Sequence, residues 1–221
     1  MTDALPSPSI RLALNETPLG PSPAAIDAIK ADLAGLARYT GRELDDLTAA
    51  IAARENIAPE QIVLGENLNV LGLYLSARGG RGGTFVYSEP GYTALVDAVT
   101  PAGGRVVGVP LNAALENDLP AIAAAVDGTT RAVYLVNPHN PSGTVSDTAA
   151  FIAAVRDLSA RTLVIVDEAY LEFMPDLPPA ALRRWCARAA MSPCSGHSPR
   201  SSDSQVSRSA TRWLRSRWPL R

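Results

Sequence analysis

Short apolar runs alternate with amphipathic stretches along most of the chain. Apolar residues at helical spacing predict helices over residues 23–36, 43–55, 68–77, 91–98, 118–126 and 147–158. Short apolar runs between them predict strands over residues 62–64, 84–87, 105–109, 132–136 and 163–166. This alternation is typical of a three-layer, doubly wound α/β fold, in which helices cover both faces of a mostly parallel sheet.

The alternation is absent from both ends of the chain. The prolines of residues 1–22 predict an extended arm. The arm ends at Ser22 and Pro23, a pair that is typical of the first residues of a helix. Residues 191–221 show neither helical nor strand periodicity. We therefore predict three segments: an arm over 1–22, an α/β domain over 23–176 and a tail over 177–221.

Charge divides the chain at the same place. Residues 1–176 hold 11 basic and 21 acidic side chains, a net of −10, whereas residues 177–221 hold nine arginines and one acid, a net of +8. The tail offers too little apolar surface to offset the entropy of ordering, so we predict that it is disordered. Its arginines leave salt-sensitive nucleic-acid binding as an alternative. Translation of GC-rich DNA in a shifted frame by itself gives a tail rich in Arg, Ser, Pro and Ala. The arginines therefore do not require a nucleic-acid partner, and we do not expect one.

The sequence is unlike that of a membrane, secreted or metal-binding protein. No run approaches the roughly 18 consecutive apolar residues of a transmembrane helix, so no membrane partner is expected. The start, Met1-Thr2-Asp3, lacks the basic and apolar regions of a signal peptide, which leaves the cytoplasm as the expected location. Cys186 and Cys194 are too few for a disulfide scaffold or a cysteine-only zinc site, and no metal site is predicted.

Polar clusters follow four of the predicted strands. They are Gly65-Glu66-Asn67, Glu89-Pro90-Gly91-Tyr92, Asn137-Pro138-His139-Asn140 and Asp167-Glu168-Ala169-Tyr170. Ligands of open α/β sheets bind beyond the carboxyl ends of the strands, so this convergence predicts a ligand site. We expect His139 to be structural, because spacing places no carboxylate or nucleophile beside it.

Each of the other clusters also has a structural interpretation. The Asp167 carboxylate at a buried strand end needs a cation or a protonated ring nitrogen, but it also suits a helix cap or a salt bridge. Asn140 lies in a rigid loop, where its amide hydrogen-bonds a ligand oxygen or caps its own turn. The Tyr92 ring lies against a planar ligand or packs in the core. The backbone amides at Glu66 and Asn67 attract phosphate at a helix start or form a plain turn.

Two motifs together resemble a known family. Asn-Pro-His-Asn-Pro-Ser-Gly at 137–143 and Val-Asp-Glu-Ala-Tyr at 166–170 resemble the fold-type I aminotransferases that use pyridoxal 5′-phosphate, most closely the histidinol-phosphate aminotransferase-like branch. Leu14-Asn15-Glu16 and Gly20-Pro21-Ser22-Pro23 are similar to the N-terminal arm of that branch. The resemblance covers about residues 10–176 and implies an incomplete aminotransferase large domain without the small C-terminal domain.

The resemblance implies roles for the residues that match the family motifs. Asp167 would pair with the pyridinium nitrogen, and Asn140 and Tyr170 would hydrogen-bond the phenolic oxygen of the cofactor. Tyr92 would stack on the cofactor ring.

The remaining matches concern the phosphate and the partner subunit. The amides near Glu66 and Asn67 would hold the phosphate of pyridoxal 5′-phosphate, although small residues are usual at these positions in the family. Tyr39 resembles the tyrosine that reaches the phosphate of the neighbouring subunit in a homodimer. The implied substrates are an amino acid and a 2-oxo acid.

The catalytic lysine of the family has no match in this chain. That lysine forms a Schiff base with the cofactor and moves the α-proton of the substrate, and it should follow the Asp-x-Ala-Tyr motif by some tens of residues. The sole lysine here is Lys30, in the first predicted helix. We therefore predict no catalytic residue and no transamination by this chain. The alternative is a catalytically dead cofactor-binding or partner subunit.

The tail carries a trace of the missing segment in a shifted codon frame. A shifted frame joins the third base of each codon to the first two bases of the next codon. With suitable third bases, the tail read in this frame encodes Thr-Leu-Ser-Lys-Ile-Phe-Gly-Leu-Ala-Gly-Leu. The lysine codon spans Pro199 and Arg200. This matches the segment that the family places around its catalytic lysine. The hypothesis is that the reading frame slipped near residues 177–184.

Overall fold

The computed structural model describes residues 14–17, 19–78 and 82–174, and the backbone of residues 204–207. The chain divides into two compact units, one ending at Arg42 and the other beginning at Glu43. In the first unit, helix α1 spans Pro23–Asp32 and is followed by a 3₁₀ helix over Leu33–Ala37. The Ser22 hydroxyl accepts from the backbone N–H of Ala25, so the predicted cap starts this helix.

The second unit contains a five-stranded parallel sheet. Its strands are β1 (Thr84–Glu89), β2 (Arg105–Pro110), β3 (Thr130–Val136), β4 (Leu163–Asp167) and β5 (Ser204–Ser207). The order across the sheet is β2-β1-β3-β4-β5, and every neighbouring pair is parallel. The predicted α/β fold with a parallel sheet is confirmed.

Five α-helices accompany this sheet in the described part of the second unit. They are α2 (Glu43–Glu55), α3 (Leu68–Arg78), α4 (Ala94–Asp97), α5 (Leu119–Ala125) and α6 (Thr148–Ser159). Helix α4 is shorter than the predicted 91–98. Gly91 lies in the tight turn before it, where a Cβ would lie 2.2 Å from the Ser88 carbonyl oxygen. No helix of the described segments is long and apolar enough to cross a bilayer.

Apolar side chains cover the sheet on both faces. Val133 and Leu135 of β3 pack with Ile122 of α5 and Phe151 of α6 on one face. Tyr134, the residue between them, points to the other face and packs in the cluster that contains residues of α3 and α4. This burial of alternate residues on opposite sides of β3 gives the three layers that the apolar runs predict.

Two predictions about strands are wrong. Residues 62–64 form no strand: Ile62 makes a single bridge after a 3₁₀ helix over Pro59–Gln61, and Val63 and Leu64 are irregular. No strand is predicted over residues 191–221, which show no strand periodicity. Instead β5 pairs with β4, which satisfies backbone groups that an open edge would expose. The rest of the predicted tail, 177–203 and 208–221, lies outside the described residues.

Candidate functional site

The carboxyl ends of three adjacent strands meet at one edge of the sheet. Strand β4 ends at Asp167, strand β3 is followed by Asn137, and strand β1 is followed by the turn that leads to Tyr92. The backbone N–H of Asn137 donates to the carbonyl oxygen of Asp167 at 2.9 Å, which joins the ends of β3 and β4. This is the edge at which an open parallel sheet binds its ligands.

Asp167 is a buried carboxylate with two hydrogen-bond donors. It is 4% exposed, the Tyr134 hydroxyl donates to its Oδ2 at 2.9 Å, and the Ala169 backbone N–H donates to its Oδ1 at 3.0 Å. Burial raises the pKa of this carboxyl, while the two hydrogen bonds act in the opposite direction. A carboxylate has four acceptor positions, so Asp167 can still accept from a cationic N–H, which would offset the cost of its burial.

Tyr134 is the tyrosine that donates to this carboxylate, and Tyr92 lies at the same edge of the sheet. Burial and the charge of Asp167 raise the pKa of Tyr134, so its hydroxyl stays protonated and donates. Tyr92 follows the turn after β1, at the same edge of the sheet. Tyr92 is 45% exposed, so the structure does not support a place for its ring in the core.

The loop that begins at Asn137 is anchored at its base by buried side-chain amides. The Asn137 Oδ1 accepts from the Ser146 backbone N–H at 3.0 Å. Asn117 accepts from the Ser88 hydroxyl at 2.6 Å and donates to the Val136 carbonyl at 3.1 Å, so it links the ends of β1 and β3. Asn117 could not be identified from the sequence, because a polar residue before a helix suggests only a cap.

The tip of the loop carries Asn140 and His139. The His139 N–H donates to the Thr144 carbonyl, and the Gly143 N–H donates to the His139 carbonyl, in a turn closed by Gly143 at φ 71°. Asn140 is half-buried, and among residues 14–174 described here none hydrogen-bonds its side chain, so it does not cap its own turn. Its amide is therefore available to a ligand oxygen.

Three further sequence-identified residues lie just after β4 or just before α3. Tyr170 follows β4 and is half-buried, with its ring 6.4 Å from that of Phe173. Asn67 starts α3: its carbonyl accepts from Leu71 N–H at 2.7 Å, and its side-chain amide donates to the Gly65 carbonyl at 2.9 Å. Glu66 is exposed beside it.

Tyr39 is fully exposed and belongs to the first unit, so its role toward a neighbouring subunit stays a prediction. Within the described segments there is no group of three or more side chains suited to hold a metal ion.

The chemistry of these groups fits the pyridoxal phosphate that the sequence resemblance implies. Asp167 offers a buried negative charge to a protonated ring nitrogen, and Asn140 offers an amide to a ring oxygen. Tyr92 offers an exposed aromatic face, and the first turn of α3 offers backbone N–H groups to a phosphate.

Comparisons with known proteins agree with this fit. The sequence profile of the family Aminotransferase class I and II matches residues 7–195. A histidinol-phosphate aminotransferase of Ruegeria pomeroyi is 37% identical over 75% of this chain and 46% of its own length. An aromatic amino acid aminotransferase of Thermobifida fusca is 36% identical over 76% of this chain and 47% of its own length.

A solved structure shows the same fold over the same part of the chain. The crystal structure of histidinol-phosphate aminotransferase from Sinorhizobium meliloti in complex with pyridoxal-5′-phosphate matches with a TM-score of 0.67 and 34% identity. The match covers 75% of this chain and 46% of that one. The chain thus spans about half the length of the curated relatives that it matches.

Proposed function

Because the chain belongs to the class I and II aminotransferases, we propose that the carboxyl edge of its sheet binds pyridoxal phosphate. The reaction type of the full-length relatives would be amino-group transfer between an amino acid and a 2-oxo acid, of the histidinol-phosphate aminotransferase kind. The buried Asp167 carboxylate at the end of β4 carries this proposal, because its position calls for a cationic partner such as a protonated ring nitrogen.

Different residues would contact different parts of the cofactor. Asp167 would keep the ring nitrogen protonated, because a cation is favoured beside a buried carboxylate. Asn140 and Tyr170 would hydrogen-bond the phenolic oxygen, and Tyr92 would cover one face of the ring. When bound, the cofactor supplies an electron sink for the α-carbon of an amino acid.

The phosphate would lie at the start of α3. Backbone N–H groups at a helix N-terminus favour an anion, which supports this position. The exposed Glu66 carboxylate at the same turn opposes a phosphate by like charge, so we expect this part of the site to bind weakly. In a dimer of the full-length parent, Tyr39 of one subunit would support the phosphate of the other.

We further propose that this chain does not transaminate. Covalent attachment of the cofactor and transfer of the α-proton both need a lysine amine at the site. The sole lysine of the sequence, Lys30, lies in the last turn of α1, within the first unit. No tyrosine, asparagine or aspartate can replace a primary amine in this attachment.

The shifted-frame segment of the tail supports a frameshift as the origin of this chain. A one-base change near codons 177–184 would restore a lysine segment and give an ordinary dimeric aminotransferase. Sequencing of the coding DNA tests this proposal. A restored frame that fails to continue with the family-like lysine segment would contradict it.

A titration of the full chain with pyridoxal phosphate tests the proposed cofactor site. We expect saturable binding that D167N weakens by roughly tenfold or more, because a charge-assisted hydrogen bond is lost. D157N, a change of an exposed aspartate on α6, is the matched control and should bind like the wild type. Equal affinity of D167N and wild type would contradict the proposed site.

A further inference from the structure

A chain of hydroxyl groups connects the tip of the Asn140 loop with the turn before α5. His139 Nδ1 lies 2.8 Å from Ser142 Oγ, and Ser142 Oγ lies 2.8 Å from Thr144 Oγ1. The Thr144 hydroxyl in turn donates to the Leu115 carbonyl at 2.6 Å. His139 is 2% exposed, so its imidazole exchanges none of these contacts for water.

We call this chain from His139 through Ser142 and Thr144 to Leu115 the relay. The direction of each hydrogen bond in the relay follows from its last member. The Leu115 carbonyl can only accept, so the single proton of the Thr144 hydroxyl is committed to it. Thr144 Oγ1 must therefore accept from the Ser142 hydroxyl. Ser142 has then used its own proton and can only accept from His139. The relay thus requires a proton on Nδ1 of His139.

The other ring nitrogen of His139 gives independent support. Nε2 is buried and has no hydrogen-bond partner within the described residues. With the proton on Nδ1, Nε2 carries a lone pair; with the proton on Nε2, the protein would bury an unpaired N–H. An unpaired acceptor is more readily tolerated inside proteins than an unpaired donor. Burial also lowers the pKa of His139, which keeps the ring neutral.

The turn that receives the relay is itself held firmly. Asn112 Oδ1 accepts from the backbone N–H groups of Ala114 and Glu116 at 2.9 and 3.0 Å. The Leu115 N–H donates to the Asn112 carbonyl at 2.9 Å. These bonds fix the Leu115 carbonyl in space, so a side chain tied to it is fixed as well.

We propose that His139 is a positioning residue for Asn140, held as the Nδ1–H tautomer by the relay through Ser142 and Thr144 to Leu115. The relay ties the tip of the loop to the turn before α5, while Asn117 ties its base to the same segment. The consequence for the cofactor rests on the proposed function; the tautomer does not.

Nitrogen-15 NMR of the histidine rings in the full chain tests the tautomer directly. The sequence has two histidines, so H197Q assigns the spectrum without touching the described residues. We expect a proton on Nδ1 of His139 and a bare Nε2 at neutral pH. A proton on Nε2 would overturn the relay.

The variant T144V removes the acceptor of the Ser142 proton with little change in shape. Ser142 is then free to donate to Nδ1, so the share of the Nε2–H tautomer should rise. T48V is the matched control, because the Thr48 hydroxyl likewise donates to a carbonyl, that of Leu44 at 2.7 Å, far from the loop in sequence. An unchanged tautomer in T144V would show that the relay does not set it.

Pyridoxal phosphate affinity then tests the positioning role. The amide of H139N can donate to Ser142 as Nδ1–H does, whereas H139L cannot. We expect H139L to bind about tenfold more weakly than wild type, the equivalent of one hydrogen bond, and H139N to recover most of that loss. Equal losses in both variants would overturn the role. Absence of binding by the wild type would instead refute the proposed function, and the tautomer measurement would still decide the relay.

Discussion

The burial of Asp167 makes the stability of the chain depend on pH. Folding raises the pKa of this carboxyl above its ordinary value of 3.8, so the folded chain holds the proton more tightly than the unfolded chain. This stabilisation is complete below about pH 3.8 and is lost as pH rises through the raised pKa. The asparagine of D167N does not titrate. The free energy of unfolding of D167N should therefore increase relative to that of the wild type as pH rises.

Chemical denaturation of D167N and wild type at a series of pH values above about 3.8, without added cofactor, measures this difference in the free energy of unfolding. D157N is the control for the change of an exposed aspartate, and its difference from the wild type should not follow that of D167N. A difference between D167N and wild type that stays constant with pH would contradict the assigned cause.

Tyr134 and Asp167 should behave as an energetically coupled pair. Tyr134 is 1% exposed, and Y134F removes the hydroxyl that donates to the buried carboxylate. We expect a loss of about 1–3 kcal/mol in the free energy of unfolding at neutral pH. In the D167N background the loss should be smaller, because no buried charge is left without its donor. Equal losses in the two backgrounds would mean that the two residues do not interact.

At the scale of elements, the carboxyl end of α5 is hydrogen-bonded by Arg161, a residue distant in sequence. The Arg161 Nη2 donates to the Ala123 and Val126 carbonyls at 2.9 Å each, at the carboxyl end of the helix. These carbonyls have no partner within the helix, so R161A should cost about 1–2 kcal/mol of stability.

Thermal unfolding of R161A and R161K distinguishes capping from charge. Lys lacks the planar, multi-donor fork of Arg, so R161K should recover only part of the loss. Full recovery by lysine would show that the charge alone matters, and no loss in R161A would refute the cap.

Elements with their own apolar face were predictable, and elements that depend on a neighbour were not. Helix α2 and strand β2 lie close to the predicted ranges, because the spacing of their apolar residues is a local property. Residues 62–64 carry a strand-like apolar run, but a strand also needs a partner, which the local pattern does not reveal. The same dependence on a partner explains why β5 was missed beside β4.

The candidate site could be predicted in part for the same reason. Asp167 ends a strand and Asn140 and Tyr92 follow strands, and a parallel sheet brings its carboxyl ends to one edge. Asn117 and the relay from His139 to Leu115 depend on side chains that are close only after folding. Their identification therefore required the structure.

At the scale of the whole molecule, the central claim is a pyridoxal phosphate site without a lysine to attach the cofactor. The most direct test combines pyridoxal phosphate with the full chain, reduces the mixture with borohydride and maps the peptides, alongside an assay of amino-group transfer to a 2-oxo acid. We predict the absorbance of the unattached aldehyde, no reduced adduct at a specific site, and turnover no greater than that of the cofactor alone. A reduced adduct at one residue together with turnover above the free cofactor would contradict the claim.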